Sequence, residues 1–177
     1  MNLSIDLHNF SLVNVNFLDT KRNIIMDGNF TKIVYSNQYF TMNSIYLDFP
    51  IEWQSIERMS NKKFIRFNPY SPKNLTLIQD IAKIEARVLE YFRTYCNINV
   101  KIMNSLSKQM YSGNMKIFQE YGHPGYGDED GPNDELLDKE CLHFVIKLSG
   151  IWENYQEIGI TYKLLQQTSS PKVSRVD

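Results

Sequence analysis

Two alternating runs near the C-terminus constrain this chain most. They are Phe144-Val-Ile-Lys-Leu-Ser-Gly-Ile-Trp-Glu153 and, after a short polar gap, Ile158-Gly-Ile-Thr-Tyr-Lys163. Side chains alternate across a strand, so such runs fill a core with one face and present rings and cations on the other. Nothing of comparable strength in the sequence points to catalysis, and the chain reads as a binding protein.

At 177 residues the chain is expected to form one domain able to bury about 70% of its unfolded surface. Its 42% hydrophobic content fits a packed core. Eleven Tyr and ten Phe suit β-surfaces and stacking sites. Cys96 and Cys141 lack CxxC spacing, so reduced thiols are expected in place of zinc ligands. Met1–Asp6 has neither a basic start nor a long apolar run, and no stretch approaches the ~20 residues of a membrane span. A soluble protein without membrane contact is expected.

Net charge is −1, but its distribution is uneven. Seven acids and one lysine lie between Asp128 and Glu140, leaving 13 acids against 18 Lys and Arg elsewhere. A modestly basic body with one acidic insert is compatible with a cationic groove, although mixed charge is also ordinary on a solvated surface.

Along the chain, residues 3–19 suggest one or two strands, broken near His8-Asn9. Phe30–Tyr35 and Tyr39–Phe49 read as a hairpin, with Thr41, Asn43, Ile45 and Leu47 on one face of its second strand. Lys63–Phe67 is a further strand, after a polar stretch, and Asn68-Pro-Tyr-Ser-Pro72 ends it. From about 75 to 95 the period becomes helical, with Asn74 or Thr76 as N-cap and Glu85 inside the apolar stripe. Residues 98–103 and 113–118 are expected strands, and 105–112 a loop or short helical turn. Gly122–Pro132 is the clearest loop signal. The expected organisation is a single domain over 1–165 with an acidic insert at 122–140, then a flexible tail over 166–177.

Several strands, one helix and more strands fit a mainly β fold: an OB-like five-stranded Greek-key barrel with extra N-terminal strands and one principal helix at about 75–95. A β-sandwich with an inserted helix gives a similar string.

Five segments then occur in order: Met26-Asp-Gly-Asn-Phe-Thr-Lys-Ile-Val-Tyr-Ser36, Phe40-Thr-Met-Asn-Ser-Ile-Tyr46, Gly113-Asn-Met-Lys-Ile-Phe118, Lys147-Leu-Ser-Gly-Ile-Trp-Glu153 and Gly159-Ile-Thr-Tyr-Lys163. Over residues 20–165 the ordered set resembles the single-stranded-DNA-binding proteins of nucleocytoplasmic large DNA viruses, a family related to the OB-fold replication protein of podophages. The resemblance implies sequence-tolerant coating of single strands in viral DNA replication, recombination or repair, inside the infected host cell. The podophage relative uses an acidic, aromatic-ended tail to contact replication partners. Ser170–Asp177 is not such a tail, so either the acidic loop at 126–140 contacts viral replication proteins or that contact is absent.

Single strands are held by rings that stack bases and cations that follow phosphates. The candidates are Lys116 with Phe118; Lys63, Phe64 and Arg66; Lys32 with Tyr35 and Tyr39; Tyr162 with Lys163; and Trp152. Core packing competes as the explanation for each ring, and solubilising charge on edge strands for each cation. Phe144, aligned with Leu142, Ile146 and Leu148, reads as core. Asp128, Asp130 and Asn133 lack EF-hand spacing, and no metal or other cofactor is expected. His8, His123 and His143 have no paired nucleophile in the sequence, there is no phosphate-binding glycine loop, and an enzyme is not expected. The competing class is a structural or interaction protein of the virion. A homodimer is compatible with the strand edges but specified by no motif.

Overall fold

The computed structural model describes residues 4–23, 27–118 and 142–168. The acidic insert, Cys141 and the tail beyond Thr168 lie outside the described residues.

The protein is mainly β, and the described residues form ten strands in one mixed sheet and two helices. After a bridge between Ile5 and Leu47 and two short 3-10 turns, β1 (Val15–Asn23) pairs with β2 (Gly28–Ser36). The strands β3 (Thr41–Met42) and β4 (Ile45–Asp48) follow, then the hairpin of β5 (Trp53–Met59) and β6 (Lys62–Phe67). The principal helix α1 (Pro72–Tyr95) leads through β7 (Lys101–Met103) and α2 (Ser105–Tyr111) to β8 (Asn114–Phe118). Long β9 (Leu142–Glu153) and β10 (Glu157–Thr168) form a hairpin at the centre. The sheet path is β1-β2-β9-β10-β8-β6-β5, with β3 on β2, β4 on β9 and β7 on β10.

Where the sequence suggests an OB-like five-stranded barrel with extra N-terminal strands, the described residues form a broader mixed sheet that is not closed, its end strands β1 and β5 not pairing with each other. Strand β5 comes from the stretch that reads as polar, because only Trp53 and Ile56 of its side chains pack on the core. The expected second hairpin strand splits at Asn43-Ser44. Its inward side therefore shifts from Met42 to Ile45 and Leu47, and the single alternating face over 41–47 does not form. Strand β10 runs through Gln166 and Gln167 to Thr168, so the segment after residue 165 begins as strand.

Helix α1 starts earlier than its apolar stripe, since Pro72 occupies the first turn with Ser71 as N-cap, where a fixed φ and a missing N–H cost nothing. Asn74 is not the cap. It is buried inside the helix, where its Oδ1 accepts from Glu52 N (2.9 Å) and its Nδ2 donates to Glu52 O (2.9 Å) and Asn68 O (2.8 Å). Thr76 is likewise helical, and its hydroxyl donates to Pro72 O.

The core face carries Ile33, Tyr35, Ile65, Met115, Ile146, Leu148, Ile160 and Leu164, packed with Ile78, Ile81, Val88, Leu89 and Phe92 of α1. Phe17 of β1 meets Phe92 edge-on at 5.0 Å. Glu85 is fully buried among these residues. Its carboxylate accepts from Leu106 N (2.9 Å), Ser107 N (2.8 Å) and Ser107 Oγ at the start of α2. A buried carboxylate is tolerable only when so saturated, and here it locks α2 onto α1.

Candidate functional site

Register places one face of the sheet away from α1, and most of the useful candidates lie there. Tyr46 of β4 is opposite Lys147 of β9, and Lys147 is opposite Lys163 of β10. Leu165 of β10 is in register with Phe118 of β8, which sets Lys163 beside Lys116 two residues earlier on each strand. Lys116 is opposite Phe64 of β6. The result is a row across five strands: Tyr46, Lys147, Lys163, Lys116, Phe64. At ~4.8 Å per strand step it spans about 19 Å.

Three cations in this row are held against rings. Lys147 Nζ is 5.0 Å from the Tyr46 ring centroid. Lys116 Nζ and Lys163 Nζ are 4.4 and 5.4 Å from the Phe118 centroid. Such contacts order the long side chains, and those of Lys116 and Lys163 leave donors for an anion, while Lys147 has a further partner besides its ring. Beside the row, Val145, Leu165 and Phe118 are neighbours in register. Val145 and Leu165 are buried apart from the main core and give Phe118 an apolar footing.

The structure thus joins Lys116, Phe118, Lys163 and Phe64, which the sequence places in three separate clusters. It adds Tyr46 and Lys147, which the candidate set lacks. Lys147 alternates with core-facing Ile146 and Leu148, so its outward side was readable, whereas Trp152, five residues on, shares that side only through the irregularity between Leu148 and Gly150. The closeness of Lys163 to Lys147 depends on cross-strand register, which was not readable.

The other candidates fall elsewhere. Arg66 is on the outer side but is bound to Glu57, Nε to Oε1, at 2.7 Å. Lys63 is opposite Ile117, on the core-side alternation, and is not part of the row. Lys32 is opposite Gly150, outward and half-buried, nearer the β1–β2 end. Tyr39 is 82% exposed in the turn after β2 and joins no other candidate.

Two candidates are corrected. Tyr35 is 1% exposed, and its hydroxyl accepts from Ser11 N (3.0 Å) and Asn14 Nδ2 (3.1 Å); it anchors the N-terminal segment to the core. Tyr162 packs on the core face, and burial, with the Glu85 carboxylate second, holds its hydroxyl above the usual tyrosine range. Both rings alternate inward, Tyr35 fully buried and Tyr162 half-buried against the core.

Trp152 is outward, opposite Phe30 and Gly159. Its indole lies flat over Gly159: a Cβ there would sit 2.6 Å from Trp152 Cε2. Phe30 lies over Gly150 in the same way. The two glycines let large rings lie along the sheet.

Among the described residues, no group of three His, Cys, Asp or Glu could hold a metal ion, and no helix is long and apolar enough to cross a membrane. No family model, curated protein or solved structure matches the chain.

Proposed function

We propose that this protein binds single-stranded DNA with little sequence preference, along the outer row of Lys147, Lys163 and Lys116 and the rings of Tyr46, Phe118 and Phe64. The observation that carries this reading is the alignment of three lysines on adjacent strands. Lys163 and Lys116 stand side by side, like charges that are unfavourable by themselves in a sheet, and a polyanion laid along the row offsets that repulsion. Phosphates following the lysines leave bases free to stack on the flanking rings, each worth ~1–3 kcal/mol. No step requires a cofactor. The resemblance to the viral single-strand-binding family supports a role in viral DNA replication, recombination or repair, and it supports reading the sheet as an elaborated OB-like fold.

The test is fluorescence anisotropy of a labelled poly-dT oligonucleotide at two salt concentrations. Tight binding that weakens steeply with salt, with duplex a poor competitor, is expected. No binding at low salt overturns the reading.

A virion-interaction role has one observation in its favour. Tyr91 and Tyr95 of α1 lie tilted against Phe17 of β1 at 5.4 and 5.6 Å, and Tyr95 is 65% exposed. This aromatic patch carries no cationic row and suits protein contact.

A further inference from the structure

Two tyrosines outside the lysine row stand side by side at the end of the β6–β8 ladder. Phe67 N donates to Gly113 O (3.0 Å), which carries the ladder one step past the pair of Arg66 and Asn114. From there the chain runs on to Tyr70 after β6, and back to Tyr111, the last residue of α2, before β8. Their ring centroids are 6.4 Å apart, with the planes tilted by 33°. Tyr70 is 68% exposed and Tyr111 36%, so neither ring is needed to fill the core. The backbone that carries them is nonetheless fixed. Asn68 Oδ1 accepts from Tyr70 N (3.0 Å), and Asn68 O accepts from Nδ2 of buried Asn74 (2.8 Å). Gly113 has φ +70°, and a Cβ there would lie 2.6 Å from the Phe67 carbonyl oxygen and 3.1 Å from Pro69 Cδ, so glycine lets the two segments abut. Ser112 Oγ closes the end of α2 by donating to Gln109 O (2.6 Å).

We propose that Tyr70, backed by Tyr111, is a nucleobase-stacking subsite for the strand that crosses the lysine row. The inference rests on the single-strand reading above and deepens it, by naming where the strand goes beyond Lys116. Continuity with the row selects this occupant. Gly113 is three residues from Lys116, about 10 Å at ~3.3 Å per residue. That distance is about three nucleotides at the ~3.4 Å spacing of a stacked strand. On the outward side between them stands Asn114, with Arg66 opposite it. Cations flank the ring pair, as the phosphates on either side of a stacked base require. The Arg66 side chain stays 51% exposed beside its Glu57 partner, and Lys108 is exposed one turn before Tyr111 on α2. A ring already held in place loses little freedom when a base stacks on it, so the fixed backbone on both sides favours binding. Stacking on a tyrosine face reads no base edge, and the subsite therefore accepts any sequence.

The experiment uses the full chain and a dT oligonucleotide of about 16 nucleotides, long enough to cover the row and the tyrosines together. One thymine at a time is replaced by 5-iodouracil, the complex is irradiated, and the adduct is mapped by mass spectrometry. One position is expected to give its adduct at Tyr70 or Tyr111. In anisotropy, Tyr70→Ala should lower dT affinity about tenfold with the salt slope unchanged, while Tyr70→Phe, which keeps the ring, stays within about twofold of wild type. Thermal midpoints check that each variant is folded. Normal dT binding with no adduct at either tyrosine, and with Tyr70→Ala at wild-type affinity, overturns this subsite, leaves the pair for protein contact and leaves the single-strand reading standing. Equal losses in Tyr70→Ala and Tyr70→Phe also overturn it, since the hydroxyl and not the ring face would then hold the strand. Failure to bind dT at low salt overturns both.

Discussion

Lys147 and Lys163 stand directly opposite each other on the two longest strands, one ammonium over Tyr46 and the other over Phe118. Two like charges face each other on neighbouring strands, and both are steered onto rings. The sheet therefore holds a line of lysines, extended to a third strand by Lys116, on the side opposite α1. This relationship ties the stability of the fold to its proposed use.

Neutralising the row should weaken binding through its salt dependence. Lys163→Gln and Lys116→Gln are each expected to lower the slope of log affinity against log salt by about 0.7, the increment for one phosphate on a single strand. Their thermal midpoints should stay level or rise slightly, because a like-charge neighbour has been removed. Anisotropy over a salt series reads the first and thermal denaturation the second. An unchanged slope would place the phosphate path off this row.

Phe118 should behave differently from the lysines around it. Its ring is the shared platform of Lys116 and Lys163, and it borders buried Val145 and Leu165. Phe118→Ala is expected to cost ~1–3 kcal/mol of binding with the salt slope nearly unchanged, since stacking releases no counterions. A fall in slope comparable to a lysine variant would mean that the ring acts only by ordering the two cations.

How much of this was legible depends on sequence distance. The β9–β10 pair shows in the alternation of 144–153 and 158–163, and α1 shows in the spacing of Ile78, Ile81, Val88, Leu89 and Phe92, because both signals are local. Strand β5 was hidden, since its outward residues are polar and only Trp53 and Ile56 mark its inner side. The candidate rings were harder still. Tyr35 and Lys32 lie on one strand three residues apart, and that odd spacing alone sends the ring inward and the cation outward. Tyr162 and Lys163 part in the same way. The closeness of Lys116 to Lys163 comes from parallel pairing between β8 and β10, which no local pattern encodes.

Glu85 is expected to be a stability residue with no part in binding. Its carboxylate satisfies two backbone N–H groups and the Ser107 hydroxyl at the start of α2, all deep in the protein. Glu85→Ala leaves those donors unmatched and should cost about 2–4 kcal/mol in urea denaturation. Affinity for dT at temperatures where the variant is folded should match wild type. A selective loss of affinity without a loss of stability would contradict this assignment.

Tyr162 predicts an alkaline limb in stability. Burial, aided by the Glu85 carboxylate, raises its pKa in the folded state, so the folded protein holds the phenolic proton more tightly than the unfolded chain does. The resulting stability is fully present below the unfolded value near 10 and is lost as pH rises from there through the folded pKa. Tyr162→Phe has no proton to lose. The stability difference between wild type and variant should therefore hold constant from pH 7 to about 9 and then shift in favour of the variant. Parallel curves up to pH 11 would show that Tyr162 titrates alike in both states.

The two glycines beneath the outer rings should differ in what an added methyl does. At Gly150 a Cβ would lie 2.6 Å from the Thr31 carbonyl oxygen as well as against Phe30, and backbone cannot step aside. Gly150→Ala should cost ~1–3 kcal/mol, with the strain falling on the β2–β9 pairing. At Gly159 the close atoms all belong to the Trp152 indole, which can swing away from the sheet. Gly159→Ala should therefore unfold at nearly the wild-type urea midpoint while shifting the Trp152 emission. Equal destabilisation by both substitutions would mean that the indole is as fixed as backbone.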